Sequence, residues 1–101
     1  MDVNIERLNS SLQISLSGEL DHHAAKDVVR KLNSLTESAV PAKCVLDMGG
    51  VGFMDSSGIA VVLGLYRRLG EVDSKVTVKN VPVQAMKVFN AAGIDRLVTF
   101  E

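Results

Sequence analysis

Two short polar clusters hold the residues of this sequence that could do chemistry: Asp55-Ser56-Ser57-Gly58 and Asp21-His22-His23. Hydroxyls beside a carboxylate have three uses. They cap a helix by accepting backbone N–H groups, they attack a carbonyl once a histidine takes their proton, or they accept a phosphoryl group. His22 or His23 could approach the serines from a neighbouring loop, but the sequence has no G-x-S-x-G elbow. It also lacks the G-x-x-x-x-G-K-[ST] loop that cradles phosphates, so any nucleotide belongs to a partner. Adjacent histidines point in different directions on a helix, and no second Cys or His cluster completes a metal's three or four ligands. No catalytic residue, metal or cofactor is therefore assigned, and the chain reads as a binding protein rather than an enzyme.

The elements that must position these clusters follow from hydrophobic periodicity. Val3, Ile5 and Leu8 suggest a first strand, and Leu12-Gln13-Ile14-Ser15-Leu16 alternates as a half-buried strand does. The polar turn between them predicts a hairpin. Gly18 is expected to end the second strand, and Asp21 is a suitable N-cap for the helix that follows. Ala24, Ala25, Val28, Val29, Leu32 and Leu35 recur at helical spacing. Pro41 marks the exit, Lys43 to Met48 reads as a buried strand, and a glycine-rich turn is expected at 49–52.

Ile59, Val62, Leu63, Tyr66 and Leu69 mark a second helix, closed by Arg67, Arg68 and Gly70, which suit a helix C-terminus. Lys75-Val76-Thr77-Val78 is a further strand. Pro82 fits the first turn of a third helix whose stripe is Val83, Met86 and Phe89, stopped by Gly93, and Leu97 to Phe100 closes the chain as a strand. The order β-β-α-β-α-β-α-β predicts one α/β domain over residues 1–101, with a mixed, mainly parallel sheet and an antiparallel edge hairpin.

Composition narrows the function classes. The chain has 101 residues, 47% of them apolar, enough for one core. A net charge of −1, no basic run and few aromatic residues (three Phe, one Tyr) argue against nucleic-acid binding. The single cysteine, Cys44, excludes an internal disulfide and reads as a core filler. No segment resembles a secretion signal or a membrane span, so a cytoplasmic location without membrane insertion is expected.

Asp55-Ser56-Ser57-Gly58 falls where a strand hands over to a helix. A helix N-terminus offers partial positive charge and N–H donors, which would stabilise a phosphate on one of the hydroxyls. The residues alone leave capping and phosphorylation both open. Phe53-Met54-Asp55-Ser56-Ser57-Gly58, with Gly18-Glu19-Leu20-Asp21-His22-His23 upstream, resembles the STAS domain of bacterial anti-sigma factor antagonists, most closely the sporulation and general-stress types. The likeness covers nearly the whole chain, including the spacing of the two motifs.

The resemblance implies a partner switch. The unphosphorylated antagonist binds an anti-sigma factor that is also a serine kinase and holds the ATP or ADP, and this releases a sigma factor. Phosphorylation of the serine after the motif aspartate ends the binding, and a serine phosphatase restores it. By position that serine is Ser56, with Asp21, Asp55, Ser57 and Gly58 joining the partner surface. Met54 and Ile59 either contribute apolar contact or belong to the core. Relatives often carry glycine where this sequence has Ala60, and often continue past the last strand into another helix, whose contacts are not carried over. A STAS scaffold in a stress-signalling complex or on a membrane transporter shares the fold and is the alternative reading.

Overall fold

The computed structural model describes residues 1–38, 41–70 and 74–101. Strands β1 (Asp2–Leu8) and β2 (Ser11–Leu20) form the hairpin, followed by helix α1 (His22–Ser38) and strand β3 (Lys43–Met54). Helix α2 (Ser57–Gly70), strand β4 (Lys75–Lys79), helix α3 (Val83–Ala91), a 3-10 turn at Ile94–Arg96 and strand β5 (Thr99–Phe100) complete the chain. The five strands lie in sequence order in one sheet. β1 runs antiparallel to β2 and every other neighbouring pair is parallel, as expected of strands joined through helices.

Alternation decides which face of the sheet is covered. Leu12, Ile14 and Leu16 of β2, and Cys44, Leu46 and Met48 of β3, are buried beneath the helices. The residues between them, Gln13, Ser15, Val45 and Asp47, are only half-buried. Ala25, Val28 and Leu32 close the core from α1, and Val61, Val62, Leu65 and Leu69 close it from α2. Phe89 anchors α3, fully buried and tilted against Phe100 with ring centroids 5.5 Å apart. Cys44 fills space in this core, where burial pushes its thiol up to about 12.

Several expected boundaries move. β2 does not stop at Gly18. It carries an irregularity there, with Gly18 at φ 112°, and then runs on to Leu20. Residues 49–52 form no turn. β3 crosses them to Met54, and a Cβ on Gly50 would overlap Ser17 of β2 and lie 3.0 Å from the Leu16 carbonyl oxygen. The glycine therefore serves close strand approach rather than chain reversal. Val83 is exposed and Met86 half-buried, so Ala85 replaces Val83 on the buried stripe of α3. The segment before β5 folds as a 3-10 turn, which leaves the last strand two residues long. Among the described residues no helix is long and apolar enough to cross a membrane.

Candidate functional site

β2 and β3 end in register, with Leu20 opposite Met54, so the loops that follow them emerge side by side. The Asp55 N–H donates to the Leu20 carbonyl at 3.3 Å and ties the second loop to the end of the first strand. Asp21, Asp55, Ser56 and Ser57 are thereby gathered at the carboxyl ends of the strands.

Asp21 caps α1 as its residue type suggested. Its Oδ1 accepts the Ala24 N–H at 2.9 Å, and this bond, helped by the nearby His23, holds the carboxyl below its ordinary value of 3.8. At the second loop the aspartate again does the capping: Asp55 Oδ1 accepts the Ser57 N–H at 2.8 Å, and its carbonyl accepts the Gly58 N–H at 3.1 Å. Ser56 occupies the residue before the helix, where its carbonyl accepts the Ile59 N–H at 3.1 Å. Among the described residues neither serine hydroxyl accepts a backbone N–H. Capping therefore does not account for the serines. Ser56 is exposed, whereas Ser57 is half-buried.

Gly58 is buried because α2 presses directly on the end of the sheet. A Cβ there would overlap Cγ and Sδ of Met54 and lie 3.2 Å from Leu20 Cδ2. Met54 itself is fully buried, so of the two apolar neighbours of the serines it is a core residue, while Ile59 stays half-buried. Packing at Gly58 fixes how far Ser56 projects.

Gln84 is a positioning residue that the sequence reading missed. β3 pairs with β4 only as far as Asp47, so the last residues of β3 have no strand on that side. The Gln84 side chain takes its place: its Nε2 donates to the Met54 carbonyl at 2.8 Å and its Oε1 accepts the Met54 N–H at 2.9 Å. A side-chain amide supplies a donor and an acceptor side by side whatever the pH. No periodicity rule singles out a polar residue in the first turn of a helix for this task.

His22 and His23 stack edge to face with centroids 6.0 Å apart. His22 Nδ1 lies 3.5 Å from Ser57 Oγ, the outer limit of a hydrogen bond, and among the described residues no carboxylate hydrogen-bonds His22. The orienting acid of a hydrolytic triad is missing from this arrangement. Among the described residues no group of three or more His, Cys, Asp or Glu is placed to hold a metal.

The exposed serine between an aspartate and a buried glycine is thus presented by the fold, not consumed by it. A family model described as "Mlab, STAS domain" matches residues 3–99. The chain belongs to the STAS-domain family. This STAS domain is 35% identical over 81 residues to an anti-sigma F factor antagonist of Lysinibacillus sphaericus, an alignment covering 80% of this chain and 69% of that one. It also matches the structure of the anti-sigma factor antagonist SpoIIAA in its unphosphorylated form, with a TM-score of 0.86, 28% identity and coverage of 99% and 88% of the two chains. The Bacillus cell fate determinant SpoIIAA in the phosphorylated form matches at a TM-score of 0.78 and 28% identity, covering 99% and 91%. These relatives are regulatory binding proteins, in keeping with the non-enzymatic reading of this STAS domain.

Proposed function

We propose that this STAS domain is an anti-sigma factor antagonist whose binding is switched by phosphorylation at Ser56. Unphosphorylated, the surface made by Asp21, Asp55, Ser56 and Ser57 binds an anti-sigma serine kinase in the cytoplasm, and a sigma factor is released; Gly58, expected to join that surface, is buried and shapes the loop instead. The partner supplies ATP, and a serine phosphatase reverses the modification. One observation carries the reading: Ser56 is exposed and bonded to nothing through its hydroxyl among the described residues, in a loop whose capping is done by Asp55.

The chemistry of the switch follows from charge. A phosphoserine adds about −1.5 to −2 charges beside the Asp55 carboxylate. The first-turn N–H groups of α2 are already bonded within the loop, so only the positive end of the helix softens that repulsion within the domain. A partner packed over Ser56 meets the added bulk and charge in a desolvated contact, where a cost of about 3 kcal/mol weakens binding roughly a hundredfold.

Mass spectrometry of the chain from its native cells, with fragmentation across residues 51–67, tests the assignment. The expected result is phosphate on Ser56, abolished by Ser56→Ala while kinase binding is retained. Phosphate on another residue, or none under any growth condition, contradicts it.

A further inference from the structure

The two adjacent serines open on different grooves. Ser57 lines the groove between α1 and α2, of about 480 Å³, together with His22, Lys26 and Arg30. Ser56 lines a groove of about 530 Å³ between α2 and α3, whose walls include Ile59, Val88 and Ala91. Lys87 is the one cation among the residues lining this second groove, and no acidic residue lines it.

We propose that Lys87 is a built-in counter-ion for a phosphate on Ser56, drawing the phosphate over the α2/α3 groove. The inference rests on the reading of Ser56 as the phosphoacceptor. Three features of the structure support it. The Gln84 amide holds α3 against Met54, two residues before Ser56, so the distance between α3 and the serine is set by a pair of hydrogen bonds. Lys87 stands three residues after Gln84, on the same side of α3 and one turn along. Its side chain is exposed and makes no ion pair among the described residues, so a flexible four-carbon stem is available to swing toward the serine.

The pairing has a consequence for the switch. One lysine does not neutralise a phosphate carrying nearly two charges, so the groove becomes anionic. The phosphate held there also covers the apolar walls at Ile59 and Val88. Phosphorylation then removes a contact surface as well as adding a charge.

The test uses the full chain with phosphoserine installed at position 56 by semisynthesis, so that it does not depend on finding the kinase. Phosphorus NMR follows the second ionisation of the phosphate, ordinarily near pH 6, in the wild-type sequence, in Lys87→Met and in Lys87→Arg. Pairing favours the dianion, so the midpoint should lie about half a pH unit lower in the wild type than in Lys87→Met. Lys87→Arg should restore it, and salt at about 0.5 M should shrink the difference. Superimposable titrations of wild type and Lys87→Met overturn the proposal. Failure of the underlying reading registers separately, as absence of phosphate from Ser56 in cells.

Discussion

The two strand-to-helix junctions at the carboxyl end of the sheet begin alike, with an aspartate following a buried Leu20 or Met54, yet they are built differently. At the first, one residue separates β2 from α1, and Asp21 reaches three residues ahead to cap Ala24. At the second, two residues separate β3 from α2, and Asp55 reaches only two ahead to Ser57. The extra residue is Ser56. Because Asp55 already satisfies the first N–H of the helix, Ser56 has no capping to do and faces solvent. A one-residue difference in junction length thus turns a helix start into a presentation site.

The largest expected effect tests how tightly the second junction is packed. Gly58→Ala drives a methyl group into Cγ and Sδ of Met54, a fully buried side chain that has to shift to admit it. The substitution should cost about 2 kcal/mol in denaturant unfolding, more than the gain in helix propensity returns. Unchanged stability would show that Met54 repacks and that the junction is looser than the contacts imply.

Gln84→Ala comes next. It removes two hydrogen bonds and leaves the Met54 N–H and carbonyl without their partner, a loss of about 1–2 kcal/mol by the same measurement. Among the described residues the first junction has no such side-chain brace and should be untouched, which hydrogen exchange at Ala24 against Met54 can show.

At the first junction the difference appears with pH. The Asp21 carboxyl is held below 3.8 when folded, so its ionised form contributes stability above that value. The contribution fades as pH falls through 3.8 toward the lower folded value. Asp21→Asn keeps a capping oxygen without the titration. The melting-temperature advantage of wild type over Asp21→Asn should therefore narrow between about pH 5 and about pH 3. A constant difference across that range would mean that the cap bond does not depend on charge.

The smallest effect belongs to Ser57→Ala. The contact to His22 is at the limit of hydrogen-bond length, so stability should change by less than about 0.5 kcal/mol. The phosphorylation proposed at Ser56 should be unaffected in this variant.

Much of this arrangement is legible in the sequence where local chemistry and periodicity agree. The alternation of Leu12, Ile14 and Leu16, the helical recurrence of Ala25, Val28 and Leu32, and the capping type of Asp21 each pointed to the element and face that the fold uses. Glycines misled because their two uses look alike in one dimension. The run at 49–52 reads as a turn in the sequence, whereas Gly50 allows β3 to pass Ser17 closely. Val83 misled because helical spacing fits two neighbouring stripes on so short a helix, and tertiary packing chose Ala85 and Phe89. Gln84 and Lys87 could not be found from spacing, since their placement depends on β4 ending before β3 does.

The proposed switch makes partner binding depend on the state of Ser56. Its most direct test is calorimetric titration of the anti-sigma serine kinase with this STAS domain, once unphosphorylated and once with phosphoserine at position 56. A Kd roughly a hundredfold weaker is expected for the phosphorylated chain, equivalent to about 3 kcal/mol. Equal affinities for the two forms would contradict it.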